Sequence, residues 1–222
     1  MRSEDKSTIQ PLVDAAKRLG CPEMGCPSCK AAAGCFRRHD SRQRQVLVLV
    51  EGFVLTCVIV LIRWKCSSCH LTFTHYPEFL IPYKRYVLST VLAMSERYVS
   101  EPAASYREVV APQGEAVGYA EGQDGGIDER QLSHTTLWYW LSWLGGLGTL
   151  ADRAANLLRQ KDPGFELHRA VAPIEPTKYR STKRRDTLEQ TASLLRTGAQ
   201  FMRHFSRRIF PTLSNSPRIN TG

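Results

Sequence analysis

An almost continuous apolar run lies in the first third of the chain. Residues 46 to 62 have the sequence VLVLVEGFVLTCVIVLI, which is interrupted only at Glu51 and Gly52. Runs of Val, Ile and Leu bounded by turn residues favour strands, so the pattern predicts a β-hairpin that turns at this Glu-Gly step. Because the run is apolar at successive positions, we expect both faces of the hairpin to be covered, one of them by a helix predicted over residues 8–19.

A membrane span is the alternative for the same run. Its length lies at the lower limit of about 17 residues for a spanning helix, and it carries a single charge. Glu51 and Gly52 near its middle, its strand-forming composition and the cysteines on either side favour the hairpin. We therefore expect no membrane partner.

Helical spacing begins after residue 80. Pro82 lies near the start of a predicted helix whose apolar positions recur every three or four residues, at Val87, Val91, Met94 and Tyr98. Ser105 and Glu108 then have the spacing of a capping box, which predicts a short second helix ended by Pro112.

The segment SHTTLWYWLSWLGG at residues 133–146 predicts a third helix, with Ser133 at its N-terminal cap. At about 100° per residue, one face carries the apolar residues Leu137, Trp140, Leu141 and Leu144. Three helices in this order predict a helix-turn-helix unit whose turn contains a glycine-rich acidic insertion at residues 112–130. The polar side chains of this third helix would then contact DNA: His134, Thr135, Thr136, Tyr139 and Ser142. Alternatively, the tryptophans make it a packing helix.

The C-terminal part of the chain carries nearly all of the positive charge. The net charge is +9, and residues 176–222 alone hold 10 Lys or Arg against 2 acids. The sequence from 184 to 210 predicts an amphipathic helix with Asp186 and Glu189 in a capping box and Pro211 as its stop. Its apolar stripe is predicted at Leu188, Ala192, Leu195, Ala199, Met202 and Ile209.

Basic side chains of this segment are predicted to contact DNA phosphates: Lys183, Arg184, Arg185, Arg203, Arg207 and Arg208. A basic amphipathic helix can equally bind a membrane surface or a partner helix, or dock on the preceding domain with a solvated basic face.

The cysteines supply the candidate chemistry. Among seven of them, Cys26/Cys29 and Cys66/Cys69 form two C-x2-C pairs. Doubled pairs of this kind are typical of a tetrahedral zinc site, and a site closed by four thiolates is structural rather than catalytic. We therefore predict one structural Zn²⁺ per chain.

Other arrangements of the cysteines stay open. A single C-x2-C pair can be a redox motif, and Cys21 or Cys35 could replace a ligand. Cys57, inside the apolar run, is predicted to be a small buried hydrophobe. The chain starts MRSEDKSTIQ, without a secretory apolar run, so we expect a reducing cytoplasmic location where disulfides are rare.

Five segments carry a resemblance to known proteins: CPSCK, RWKCSSCHLTF, YPEFLIPYKRY, SYREVV and SHTTLWYWL. Together they resemble a group of bacterial domain-of-unknown-function proteins associated with mobile elements and, more loosely, the zinc-ribbon and helix-turn-helix heads of insertion-sequence transposases. The resemblance covers about residues 26–110 and 131–150. It implies that the four paired cysteines bind zinc and that the helix near His134 contacts DNA.

A transposase would also need a catalytic core, usually three carboxylates that hold two metal ions. Only 72 residues follow position 150, and beyond Glu175 the only acids are Asp186 and Glu189, so we expect no room for that core. From the predicted hairpin, the helices and the cysteine pairs, we expect an α+β fold. It comprises a zinc ribbon at residues 1–80, a helix-turn-helix domain at 81–150 and a basic helical tail at 151–222.

We expect sequence-specific binding of double-stranded DNA in the nucleoid, with the chain itself or a transposase as possible partners. The alternatives are an enzyme with an unrecognised site and a protein-interaction adaptor.

Overall fold

The protein has an α+β fold with an antiparallel sheet and a cluster of helices. The computed structural model describes residues 3–111, 130–162, 164 and 172–210. In chain order the elements are α1 (Ser3–Arg18), β1 (Phe36–Val50), β2 (Phe53–Cys66), β3 (Thr72–Thr74), α2 (Leu88–Ser100), α3 (Tyr106–Val110), β4 (Arg130–Gln131), α4 (His134–Gly145), α5 (Gly148–Lys161) and α6 (Thr182–Phe205).

The apolar run forms the predicted hairpin. Strands β1 and β2 pair from Phe36 opposite Cys66 to Val50 opposite Phe53. Glu51 and Gly52 connect them with φ values of 50° and 87°, and two successive positive φ angles are characteristic of the tight turns that match strand twist. Strands β3 and β4 pair with opposite ends of β2, on the edge that β1 leaves free. No helix among the described residues is long and apolar enough to cross a membrane.

The two faces of the hairpin differ, contrary to the prediction that both are covered. Over its middle, Cys57, Ile59 and Leu61 are buried in a cluster that includes apolar residues of α1. The alternate residues Val58 and Val60 are 50% and 41% exposed. The reason is that α1 covers one face, whereas the helical core contacts the other face only near the turn.

A second, larger core joins α2 through α6. It contains Leu88 and Val91 of α2 together with buried side chains of α4, α5 and α6, and helix α6 packs against α4, α5 and α2. Residues 182–205 therefore form part of the core and not a separate tail. The predicted domain boundary at residue 150 falls inside this core, near the start of α5.

Helix α6 starts earlier than predicted. Ser181 is its N-cap, with Oγ accepting a hydrogen bond from the Arg184 backbone N–H, so the predicted capping box at Asp186 and Glu189 is wrong. The apolar stripe is also rotated, because Ala199 and Met202 are exposed. The buried residues of the helix are Leu188, Thr191, Ala192, Leu194, Thr197 and Phe201. Pro211 lies outside the described residues.

The three helices of the predicted helix-turn-helix unit are present. Helix α2 begins at Leu88, later than the predicted start near Pro82. Helix α3 has the predicted capping box, in which the Ser105 backbone N–H donates to Glu108 and the Glu108 backbone N–H donates to Ser105. Of the insertion at 112–130, all but the last residue lies outside the described residues. The helix-turn-helix arrangement itself stays a prediction.

Candidate metal centre

The four paired cysteines meet at the end of the hairpin opposite its turn. Their sulfur atoms all lie within 4.8 Å of one another, a group that could hold a metal ion. Cys66 ends β2, and the Cys26/Cys29 pair lies in the segment that precedes β1. The sequence thus predicted the members of this cluster.

The two C-x2-C pairs adopt the same backbone conformation. In the first, the Lys30 N–H donates to the Cys26 carbonyl and the Cys26 N–H donates to the Ala31 carbonyl. In the second, His70 and Leu71 make the equivalent bonds with Cys66. Lys30 and His70 have φ values of 61° and 60°, so the residue after each second cysteine is left-handed. Each C-x2-C pair therefore directs two sulfur atoms toward the four-sulfur group from one tight turn.

The sulfur distances fit a tetrahedral metal site. Cys26 Sγ lies 3.6 Å from Cys69 Sγ, and Cys29 Sγ lies 3.7 Å from Cys66 Sγ. A tetrahedron with metal–sulfur bonds of about 2.3 Å has sulfur–sulfur edges of about 3.8 Å. A disulfide would need about 2.05 Å. These two contacts therefore have the length of the edges of a four-thiolate site, and they are too long for disulfides.

The electrostatics of the cluster also favour a bound cation. The backbone N–H of Cys69, followed by that of Ser68, holds the pKa of the Cys66 thiol at about 6 against the effect of burial. A hydrogen bond from the Ala31 backbone lowers the pKa of Cys29, but desolvation and the three neighbouring sulfurs outweigh it and raise this pKa to about 12. Four thiolates this close repel one another, and a metal cation removes that repulsion.

The remaining cysteines lie outside the cluster. The Cys21 thiol donates to the Ala33 carbonyl at 3.7 Å, and the Cys35 carbonyl accepts from the Ser67 backbone N–H. Neither sulfur belongs to the four-sulfur group. Cys57 is buried in the hairpin core, which raises the pKa of its thiol. The alternatives in which Cys21 or Cys35 replaces a ligand are therefore disfavoured.

A small aromatic cluster supports the four-cysteine end of the hairpin. Cys26, Cys66 and Phe36 are buried together, and Trp64 packs against them. The rings of Phe36 and Phe73 meet edge to face with centroids 5.0 Å apart. The four-cysteine cluster is thus continuous with the packing of the hairpin end.

Helix α4 buries its apolar face and exposes most of its polar side chains, largely as predicted. The four predicted core residues are all buried. His134, Thr135 and Tyr139 are exposed and Thr136 is half-buried. The Ser142 hydroxyl is buried, with no hydrogen-bond partner among the described residues, so in this arrangement it does not face solvent.

The six basic residues of the C-terminal segment have different environments. Lys183, Arg203 and Arg207 are exposed, and Arg208 is half-buried. Arg185 lies 3.7 Å from Glu189 in an ion pair.

Arg184 of α6 contacts aromatic side chains of α3 and α4. Its Nη2 donates to the Tyr106 hydroxyl at 2.6 Å, and its guanidinium lies 5.1 Å and 4.9 Å from the rings of Tyr106 and Trp138. From the sequence, this side chain was expected to contact DNA phosphates. In the structure it lies close to both aromatic rings, where cation–π contacts stabilise the packing of α6.

Sequence reasoning missed the basic character of the hairpin itself. Between residues 36 and 66 there are six Lys or Arg and two acids. Arg37, Arg38 and Arg42 are exposed on β1, whereas the one acid on that strand, Asp40, is paired with Arg63 at 3.0 Å. The signal is present in the sequence FRRHDSRQRQ, next to the apolar run that dominates this part of the chain.

Comparison with known proteins finds a match to one family model in the N-terminal part of the chain. The matched region, residues 26–109, contains all four cysteines of the metal cluster, the whole hairpin and helix α2, and it crosses the domain boundary predicted at residue 80. No curated protein and no solved structure matches the chain. The family is described as a domain of unknown function, DUF6431, and residues 26–109 of this chain match its model.

Proposed function

We propose that the protein binds double-stranded DNA in a sequence-specific manner and that a structural zinc ion holds its ribbon in place. Zinc fits because it prefers tetrahedral sites built from thiolates. Cys26, Cys29, Cys66 and Cys69 would hold the ion. When bound, zinc supplies folding free energy, and its four protein ligands leave no coordination position for a substrate.

The observation that carries the DNA proposal is the exposure of cationic side chains at two places. Lys183, Arg203 and Arg207 are exposed in the C-terminal segment. Arg37, Arg38 and Arg42 are exposed on β1. Positive charge of this kind releases counterions from the phosphate backbone and supplies most of the non-specific affinity for DNA. It also favours nucleic acid over an uncharged protein partner.

Helix α4 is the proposed source of base contacts in this scheme. Tyr139 is 69% exposed, and His134 and Thr135 are exposed at the N-terminal end of the helix. Hydroxyl and imidazole groups can bond to base edges or phosphates, and helix N-termini attract phosphate oxygens.

The biological context is part of the proposal. By the sequence resemblance, the protein acts in the bacterial nucleoid as a DNA-binding accessory of a mobile element, with itself or a transposase as partner. The proposal includes no catalytic step.

Selection of bound duplexes from a random pool by the purified, zinc-loaded full chain tests this function. We expect enrichment of one short motif and affinity that falls steeply with salt. The absence of an enriched motif, together with salt-independent binding, would contradict the proposal. Metal-dependent cleavage of the selected duplex would instead indicate an enzyme.

A further inference from the structure

The middle of the hairpin presents an uncovered face. Its cross-strand pairs are Ser41 with Ile62, Gln43 with Val60, and Gln45 with Val58. Opposite residues of an antiparallel pair lie on the same face, so these side chains form one stripe. Gln43 and Gln45 are exposed, as are the two valines, and in the described part of the chain no element packs over them.

This stripe is unusual for a face exposed to water. Val58 and Val60 place apolar groups in solvent at the centre of the ribbon, with amide side chains directly opposite them. On the face that α1 covers, by contrast, the middle of β2 contributes the buried apolar residues Cys57, Ile59 and Leu61. An exposed stripe that mixes Gln with Val is suited to a partner that offers both hydrogen-bonding groups and methyl groups.

The charge beside the stripe favours one class of partner. Arg38 lies on the same face, since it pairs with Trp64. Arg37 and Arg42 pair with Lys65 and Leu61, so they are exposed on the opposite face of the same strand. Asp40, the acid nearest to them on the strand, is neutralised by Arg63. The face therefore carries one cation, Arg38, and no acid among its paired residues, next to a centre of amide and apolar side chains. This combination complements a polyanion that presents polar groups and methyl groups.

Duplex DNA has this combination of groups. Its major groove is about 12 Å wide and admits a two-stranded β-ribbon. The amide of Gln can bond in bidentate fashion to adenine, apolar side chains contact the thymine methyl group, and Arg contacts phosphates at the groove edges.

We infer that the exposed face of the β1–β2 ribbon enters the DNA major groove, with Gln43 and Gln45 contacting base edges and Val58 and Val60 contacting thymine methyl groups. This inference rests on the proposed function and adds a second base-contacting surface to α4. It also gives the metal cluster a role, because a ribbon fixed at one end by four thiolates presents its side chains in a rigid register.

The test compares the full, zinc-loaded chain with the double variant Gln43→Ala/Gln45→Ala in duplex selection. The matched control is Gln160→Ala, an exposed glutamine on α5 that takes no part in the proposed interface. Zinc content and melting temperature of all three proteins verify that the fold is intact. We expect the double variant to keep its salt dependence but to lose about tenfold or more of its discrimination at A·T positions of the motif.

Three results would overturn the inference. If the double variant selects the same motif as the parent and the control, the ribbon does not contact bases, although DNA binding by the protein still holds. If the parent chain selects no motif, the proposed function fails as well. If Val58→Arg/Val60→Arg abolishes a dimer of the parent without changing the motif, the face binds a second copy of the chain.

Discussion

Gly145 of α4 lies directly against Thr187 of α6. A β-carbon on Gly145 would stand 2.6 Å from the Thr187 carbonyl oxygen and 2.8 Å from its Cγ2. One turn further along α6, the Thr191 hydroxyl donates to the Leu141 carbonyl at 2.9 Å. The two helices therefore approach through their backbones, and this contact orients α6 on α4.

Substitution of Gly145 by alanine should destabilise the helical core. The added methyl group meets a backbone oxygen that cannot move independently, so we expect a loss of about 1–3 kcal/mol in the free energy of unfolding. The control is Gly148→Ala at the start of α5, where a β-carbon would have no neighbouring atom within 4 Å and stability should stay constant or rise slightly. Urea unfolding of the two variants measures the difference, and equal stabilities would contradict the close approach.

Removal of one sulfur should release the metal. In Cys66→Ser we expect loss of zinc and unfolding of the ribbon, because metal binding contributes to the folding free energy. Cys21→Ser is the matched control, since its sulfur lies outside the cluster. Elemental analysis and circular dichroism check both variants. Full zinc occupancy in Cys66→Ser would show that the ligand assignment is wrong.

The two faces of α4 should respond differently to alanine. Trp140 is 3% exposed, and Trp140→Ala should cost about 3–5 kcal/mol through the loss of a core aromatic. Tyr139→Ala should leave the melting temperature unchanged and weaken discrimination between DNA sequences. Calorimetry and competition binding measure these effects. An equal drop in stability for both variants would contradict the assignment of the faces.

Lys178 should stabilise the C-terminal end of α2. Its buried ammonium group donates to the carbonyls of Tyr98 and Ala104, so Lys178→Met should cost about 1–3 kcal/mol by leaving these carbonyls unpaired. Burial lowers the pKa of Lys178 below its usual 10.5.

The pH dependence of Lys178→Met follows from that shift. Between the lowered pKa and the usual 10.5, the unfolded chain binds more protons at Lys178 than the folded chain does. The contribution of Lys178 to the free energy of unfolding therefore rises with pH in this window. The parent should therefore gain stability over the variant as the pH increases through this window. Denaturant unfolding at several alkaline pH values measures the difference, and parallel pH profiles would contradict it.

The exposed basic residues of the C-terminal segment should set the salt dependence of DNA binding. Replacing Lys183, Arg203 and Arg207 by glutamine should lower the slope of log K against log salt by about 0.9 for each phosphate that is no longer neutralised. Deleting the segment would not test this, because α6 belongs to the core. The sequence preference should persist. An unchanged slope would remove these residues from the DNA interface.

The sequence predicted those structural features that are determined by residues close together in the chain. Cysteine spacing indicated the four members of the metal cluster, the Glu51–Gly52 step indicated the hairpin turn, and the capping box at Ser105 indicated the start of α3. Each depends on residues close together in the chain.

What the sequence did not show depends on contacts between distant segments. The contact of Gly145 with Thr187 determines which side of α6 is buried, so polar Thr191 and Thr197 lie inside while Met202 lies outside. Likewise, the alternation of Val58 and Ile59 in burial follows from α1 covering one face of the ribbon only. Uniformly apolar composition cannot show which face a remote helix will cover.

Sequence-specific DNA binding is tested by the affinity of the zinc-loaded chain for its selected duplex, relative to a shuffled duplex of equal length and composition. Fluorescence anisotropy at several salt concentrations measures both affinities. We expect tighter binding to the selected duplex, by about a thousandfold or more at physiological salt, and a steep decline of both affinities with salt. Equal affinity for the two duplexes would contradict sequence-specific DNA binding.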